Sequence, residues 1–252
     1  MPMTNLTRAA CAAALVTATM TIPTASQASE HRRCPLPTYG PGSSYHPTIE
    51  PSDFSADVTN PWFPLRPGTT YVYTGTKDDQ PALDVVTVSR QTRKIDGVRT
   101  RVLQDRLFLG GVLEERTTDY YAQDRCGNVW YFGEDTAVLN SKGQVTDRSG
   151  SFHAGVGGAQ PGVYLQRGPE IGRLFRQEWA KGQAEDRYRA LTTAASVTVP
   201  YGTFRNALRT EERTDLEPGV VDNKYYVRGV GVVKELTVKN GTERLHLVDV
   251  LR

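Results

Sequence analysis

The sequence predicts an all-β protein: an antiparallel meander that curls into a closed or half-open barrel behind a proline-rich N-terminal arm. Three observations carry this expectation. From Gly68 onward, apolar segments are separated by Asp96-Gly97, Gly110-Gly111, Lys142-Gly143, Lys181-Gly182 and Asn240-Gly241. Asp-Gly and Asn-Gly between such segments are the strongest short hairpin signals. Thr117 to Asp135 is the densest aromatic stretch, and its first half alternates with a period of two: Thr117, Asp119 and Tyr121 on one side, Thr118, Tyr120 and Ala122 on the other. Nothing has a convincing helical period, although Ala184 to Leu191 is long enough for one short helix. Roughly ten to twelve sequential strands cannot stay flat without exposing edges, so the meander is expected to close.

Residues 1–28 read as a secretory signal peptide: Arg8 gives the charge, Ala9 to Ile22 the apolar run, and Ser26-Gln27-Ala28 the small residues of a cleavage site. The run is too short for a stable span. Arg8 also stands three residues before Cys11, where lipid attachment wants a small or apolar residue. A secreted protein without a stable membrane anchor is expected. Removing residues 1–28 from 252 leaves 224, suited to one β domain, and removing Arg8 from 30 basic residues leaves 29 against 28 acidic. Such a balance offers no global field to attract nucleic acid. The remaining cysteines, Cys34 and Cys126, are expected to form a disulfide, as paired cysteines of exported chains do.

Residues 29–67 form the arm. Its prolines forbid regular helix or central strand, while Phe54, Trp62, Phe63 and Leu65 give it material to pack on the barrel. Residues 68–252 form the single barrel-like domain. Thr70 to Thr74 is a strand; Leu83 to Ile95 and Val98 to Leu109 flank Asp96-Gly97; Val112 to Ala122 leads through Asp124-Arg125-Cys126-Gly127-Asn128 into Val129 to Phe132. Val138-Leu139 and Gln144-Val145 make a poorer hairpin. Ser149 to Gly172 holds seven glycines with Pro161 and Pro169 and reads as a long irregular connection, either a binding lid or the cover of a barrel end. Strands resume at Leu174 to Ala180 and Gln183 to Val199, then Phe204 to Thr214, Lys224 to Val227, Val230 to Lys239 and Thr242 to Leu251.

A two-residue loop at Lys181-Gly182 would place Glu178 opposite Glu185 and Arg176 opposite Arg187, an ion-pair face. The other side would carry Phe175, Gln177, Trp179, Asp186 and Tyr188, which looks like a cavity wall. The central stretch adds Asp119, Asp124, Glu134 and Asp135 beside its aromatics, equipment that also suits sugar binding. No zinc motif, nucleophile elbow or phosphate-binding glycine loop is present in its required context, so neither metal nor cofactor is expected. His153 with Tyr164 and Arg167 is a weaker candidate for lyase chemistry.

Two resemblances add to this. Ser196 to Phe204, SVTVPYGTF, followed by Tyr225 to Lys234, YYVRGVGVVK, is similar to LolA-like curved-sheet envelope lipoproteins and lipid carriers. Asn60 to Val248 resembles a group of uncharacterised secreted bacterial proteins, through Asp119-Tyr120-Tyr121-Ala122-Gln123-Asp124, Gly127 to Glu134 and Gln177-Glu178. The first resemblance implies a lipocalin- or LolA-like barrel with a cavity for a hydrophobic ligand, and neither carries over a catalytic residue.

The expectation that follows is a secreted barrel binding a small apolar or amphipathic molecule, with Trp130, Phe132, Phe175, Trp179 and Tyr188 lining the cavity and Gln177 or Asp186 orienting the polar end. The alternative is a secreted carbohydrate-active enzyme, a glycoside hydrolase or polysaccharide lyase, using two carboxylates from Asp119, Asp124, Glu178 and Glu185.

Overall fold

The structure, a computed structural model, describes residues 34–252. The stretch read as a signal peptide, and the first residues of the arm with His31, lie outside the described residues. The arm runs through two single 3-10 turns, Gly42–Ser44 and Pro51–Asp53, into a short strand β1, Phe54–Ser55. Its aromatic content buries it against the barrel. Trp62 is 1% exposed beneath the Arg228 guanidinium, which lies 3.9 Å from its ring centre. Asn60 donates to the Gly127 carbonyl at 2.8 Å and accepts from the Trp62 amide. Arg101, nearly buried, donates to the Ala56 carbonyl and reaches Asp57 at 3.3 Å. Cys34 and Cys126 are joined by a disulfide, which ties the start of the arm to the central turn.

The barrel itself is a run of hairpins. β2 (Thr70–Lys77), β3 (Gln80–Ile95), β4 (Val98–Leu109), β5 (Val112–Asp124) and β6 (Val129–Leu139) follow one another in antiparallel register. The β3–β4 turn shows why its dipeptide was chosen: Asp96 and Gly97 have φ of 46° and 79°, both in the left-handed region that Asp tolerates and Gly adopts freely. β7 (Val145–Asp147) and β8 (Phe152–His153) are short companions of β6, and β9 (Gln160–Leu165) pairs with β6 further along. β10 (Leu174–Arg176) and β11 (Glu178–Trp179) precede the second run: β12 (Arg187–Val199), β13 (Gly202–Arg213), β14 (Val221–Val227), β15 (Gly231–Lys239) and β16 (Arg244–Leu251).

β16 pairs with β2, so the second run closes back onto the first. The strand order is β10-β12-β13-β14-β15-β16-β2-β3-β4-β5-β6-β9-β11. The result is an antiparallel barrel, nearly closed, with one seam. β10 lies on β12 and β11 lies on β9, so the chain crosses the seam within one residue, Gln177, whose amide donates to the Asp186 carbonyl at 2.8 Å.

Three local expectations differ from what is observed. Ser149 to Gly172 is not irregular throughout, because its middle is the barrel strand β9. Gly162 there is a packing requirement: a Cβ would lie 2.5 Å from the Gln177 carbonyl carbon and oxygen and against the Arg176 carbonyl. Ala184 to Leu191 forms no helix, since pairing with β10 and β13 on either side outweighs its local helical preference. The ion-pair face around Lys181-Gly182 does not assemble. Arg176 does stand opposite Arg187, but the strand then leaves β12 for β9. Arg176 donates to the Gly40 carbonyl, Arg187 pairs with Asp215 at 2.6 Å, and Glu178 turns inward.

Candidate functional site

The barrel encloses a cavity of about 370 Å³. Strand alternation decides what faces it. On β5 the inward positions are Glu115, Thr117, Asp119 and Tyr121, every second residue. The same period brings in Asp84 and Val86 from β3 and Leu103 and Asp105 from β4, while Val232 and Glu235 of β15 both face in across a register shift. Glu134 reaches the cavity from β6, Glu212 from β13, and Glu178 and Asp186 from the two sides of the seam. One end is aromatic: Phe63 of the arm packs on Tyr121 and Tyr164 with ring centres 5.3 and 4.8 Å apart, and Tyr121 stacks on Tyr131 at 4.7 Å.

Nine carboxyl groups thus line the wall, with Lys224 as the one basic side chain among them. Lys224 is already engaged, its Nζ 3.0 Å from Glu212 and 3.3 Å from Glu235. Burial works against its charge, but Glu212 and Glu235 outweigh burial and hold its pKa well above the ordinary range. Glu212 also accepts from the Tyr226 and Thr210 hydroxyls at 3.2 and 3.1 Å.

The other acids pay for their low-dielectric setting by holding protons more tightly. Burial, then the charge of Asp105, pushes Asp119 up to about 7, although the Tyr131 hydroxyl donates to it. Burial, then Asp119, pushes Glu134 to about 8 against the opposing bond from Thr136. Glu235 rises to about 8 and Asp186 to about 6, burial leading in both. Glu178 is raised by burial and by Asp186, and Asp84 by burial and by its neighbour Asp105. Asp119 and Glu134 stand opposite each other across β5 and β6. At neutral pH this interior is therefore a mixture of carboxylic acids and carboxylates, able both to donate and to accept.

Of the residues singled out from the sequence, Gln177 and Asp186 line the cavity. Trp130 and Phe132 flank the inward Tyr131 and so face the outer side, where Phe54 of the arm packs edge-on against both at 5.7 and 5.3 Å. Trp179 is also covered by the arm: its ring lies against Gly42, and Arg176 sits 4.7 Å from its centre. Phe175 and Tyr188 stack on each other at 5.7 Å beside the cavity without lining it, and the Tyr188 hydroxyl accepts the Gln166 amide.

Among the four candidate catalytic carboxylates, Asp119 and Glu178 reach the cavity. Asp124 is consumed by the central turn, accepting from the Cys126 and Asn128 amides, the Asn128 side chain and the Trp130 indole. Glu185 accepts the Gly182 amide at 2.7 Å. The structure separates His153 from Tyr164: the imidazole lies 3.1 Å from Asp135, while Tyr164 faces the cavity. Among the described residues the three-ligand grouping close enough to hold a metal is Cys34, Asp124 and Cys126, and its cysteines are the disulfide.

Sequence reasoning missed Asp84, Asp105, Glu115, Glu212, Lys224 and Glu235. The available signal was the alternation itself. Once Asp119 and Tyr121 are assigned inward, the cross-strand register carries the assignment to Asp105 and onward to the neighbouring strands.

No protein-family model matches the chain, and no curated protein matches its sequence. Two solved structures share its general course. A protein described as exported and of YmcC-like fold, from Bacteroides fragilis, has a TM-score of 0.45 and 13% identity, covering 76% of this chain and 99% of its own. A protein described as a lipoprotein, from Parabacteroides distasonis, has a TM-score of 0.41 and 12% identity, covering 75% and 98%. The likeness to LolA-like carriers finds no support in these comparisons.

Proposed function

We propose that this is a secreted protein that binds a small amphipathic molecule in its barrel cavity. The observation that carries the reading is a cavity of about 370 Å³ with an aromatic cluster, Phe63, Tyr121 and Tyr164, beside walls of carboxyl groups. That volume lies in the roughly 300–1,000 Å³ range of small-molecule sites. The rings suit an apolar body. A wholly apolar ligand would desolvate the acids without compensating bonds, which is costly, so a polar end is favoured. Secretion is supported by the signal-like residues 1–28 and by the Cys34–Cys126 disulfide, a bond that persists in oxidising compartments.

The test is native mass spectrometry of the protein recovered from its own culture medium, beside a Leu103→Trp variant whose larger side chain fills the cavity. A retained mass that leaves on denaturation, and is missing from a folded Leu103→Trp protein, is the expected result. A bare protein mass throughout would count against the reading.

Carbohydrate cleavage is a second reading, favoured by one feature: Asp119 and Glu134, opposite each other, keep protons near neutral pH as a glycosidic acid must. Cleavage of any polysaccharide in a screen, abolished by Asp119→Asn, would support it, and silence across the screen would remove it.

A further inference from the structure

The charge and bonding of the cavity wall identify the polar end of the ligand. Lys224, the lone basic group, is neutralised by Glu212 and Glu235 on its own side of the barrel. On the wall formed by β3, β4 and β5 no basic side chain lines the cavity. There Asp84 is 7% exposed and faces the cavity, and no N–H or hydroxyl group among the described residues reaches its buried Oδ1. The Asp105 carboxyl is the neighbour that bonds to it. Tyr73, directly opposite on β2, spends its hydroxyl on the Val232 carbonyl at 3.0 Å. Leu107 on β4 is apolar, and Asp105 is another acid. The two carboxyls bond to each other, and once the pair shares a single proton it keeps one negative charge and acceptor positions beside the cavity.

A buried negative charge without a basic partner is costly, so the pair is best completed from within the cavity. The group that completes it must donate and is best positively charged. Tyr73, whose ring also lines the cavity, adds the aromatic face that ammonium ions favour. A metal ion is a poorer fit, because the cavity carboxylates are not gathered within a single coordination distance among the described residues. An anionic head at this wall would meet like charge.

We infer that the bound molecule carries a protonated amine, seated at the Asp84–Asp105 pair with its donors on their carboxyl oxygens. This rests on the reading of the cavity as a small-molecule site.

The test uses three probes that share one ring and differ only at the head: phenethylammonium, 2-phenylethanol and phenylacetate. Each is titrated into the mature oxidised protein by calorimetry and by thermal shift. The expected order is ammonium above alcohol, with phenylacetate not binding. Asp84→Asn should weaken the ammonium by at least about tenfold, the loss of one charge-assisted bond, and leave the alcohol nearly unchanged. Asp105→Asn carries the same prediction should Asp84→Asn fail to fold by circular dichroism. Equal binding of ammonium and alcohol would overturn the amine while leaving the cavity reading intact, as would an Asp84→Asn protein with undiminished ammonium affinity. Failure of all three probes would also overturn it, and the retained-mass experiment then decides the cavity reading separately.

Discussion

Replacing Asp124 by alanine removes the acceptor around which the β5–β6 turn is built. Its Oδ1 takes the Cys126 and Asn128 amides at 2.9 Å each, and its Oδ2 takes the Asn128 side-chain nitrogen at 2.8 Å and the Trp130 indole at 3.1 Å. Asp124, Asn128 and Trp130 are all buried, so the donors left behind have little access to water. Taking the Asn128 amide and the Trp130 indole as the two most enclosed, at about 1–3 kcal/mol each, Asp124→Ala should destabilise by about 2–6 kcal/mol. At roughly 2–4 °C per kcal/mol for a domain of this size, the unfolding midpoint should fall by about 4–24 °C. Asp124→Asn keeps one carbonyl oxygen for the two turn amides and should lose about half as much. Scanning calorimetry of the oxidised proteins, with tryptophan fluorescence to follow Trp130, measures both. An Asp124→Ala protein melting within about 2 °C of the parent would refute the assignment of Asp124 to structure.

Three further outcomes follow from the same geometry. Asp119, Glu134 and Glu235 titrate near 7, 8 and 8 in the fold but near about 4 in the unfolded chain. The native state therefore holds more protons between these limits, and stability should fall as pH rises; a midpoint higher at pH 8 than at pH 5 would contradict this. Reducing the Cys34–Cys126 bond, which spans 92 residues, removes at most about 4–5 kcal/mol in the chain-entropy model, and thermal unfolding with and without reductant should show a clear drop. Gly162→Ala drives a Cβ into the backbone of Arg176 and Gln177 at the seam and should cost about 1–3 kcal/mol, whereas Gly168→Ala, with open space around it, should leave the melting temperature unchanged.

The hairpins were legible because their signals are local. Asp96-Gly97 and Gly110-Gly111 need positive φ at both residues, and the chain supplies residues that accept it. β9 was not legible, because Pro161 and Gly162 look like punctuation until the close approach of Gln177 is known. The orientation of the walls was harder still. A period of two says which residues share a face, not which face lies inside. Trp130, Phe132 and Trp179 looked like lining because they are large and apolar, yet the arm packs on the outer wall, burying the first two and half-burying Trp179. The inner wall then has no need to be apolar, and the acids that resemble a solvated surface face the cavity.

The central claim is that the barrel interior, with its acids, is the binding site. Its most direct test is a crystal structure of the protein carrying the molecule retained from its source. The account predicts density inside the barrel, touching Asp84 and the rings of Phe63, Tyr121 or Tyr164. Density lodged instead on the outer wall among Trp130, Phe132 and Trp179, with the interior unchanged, would contradict it.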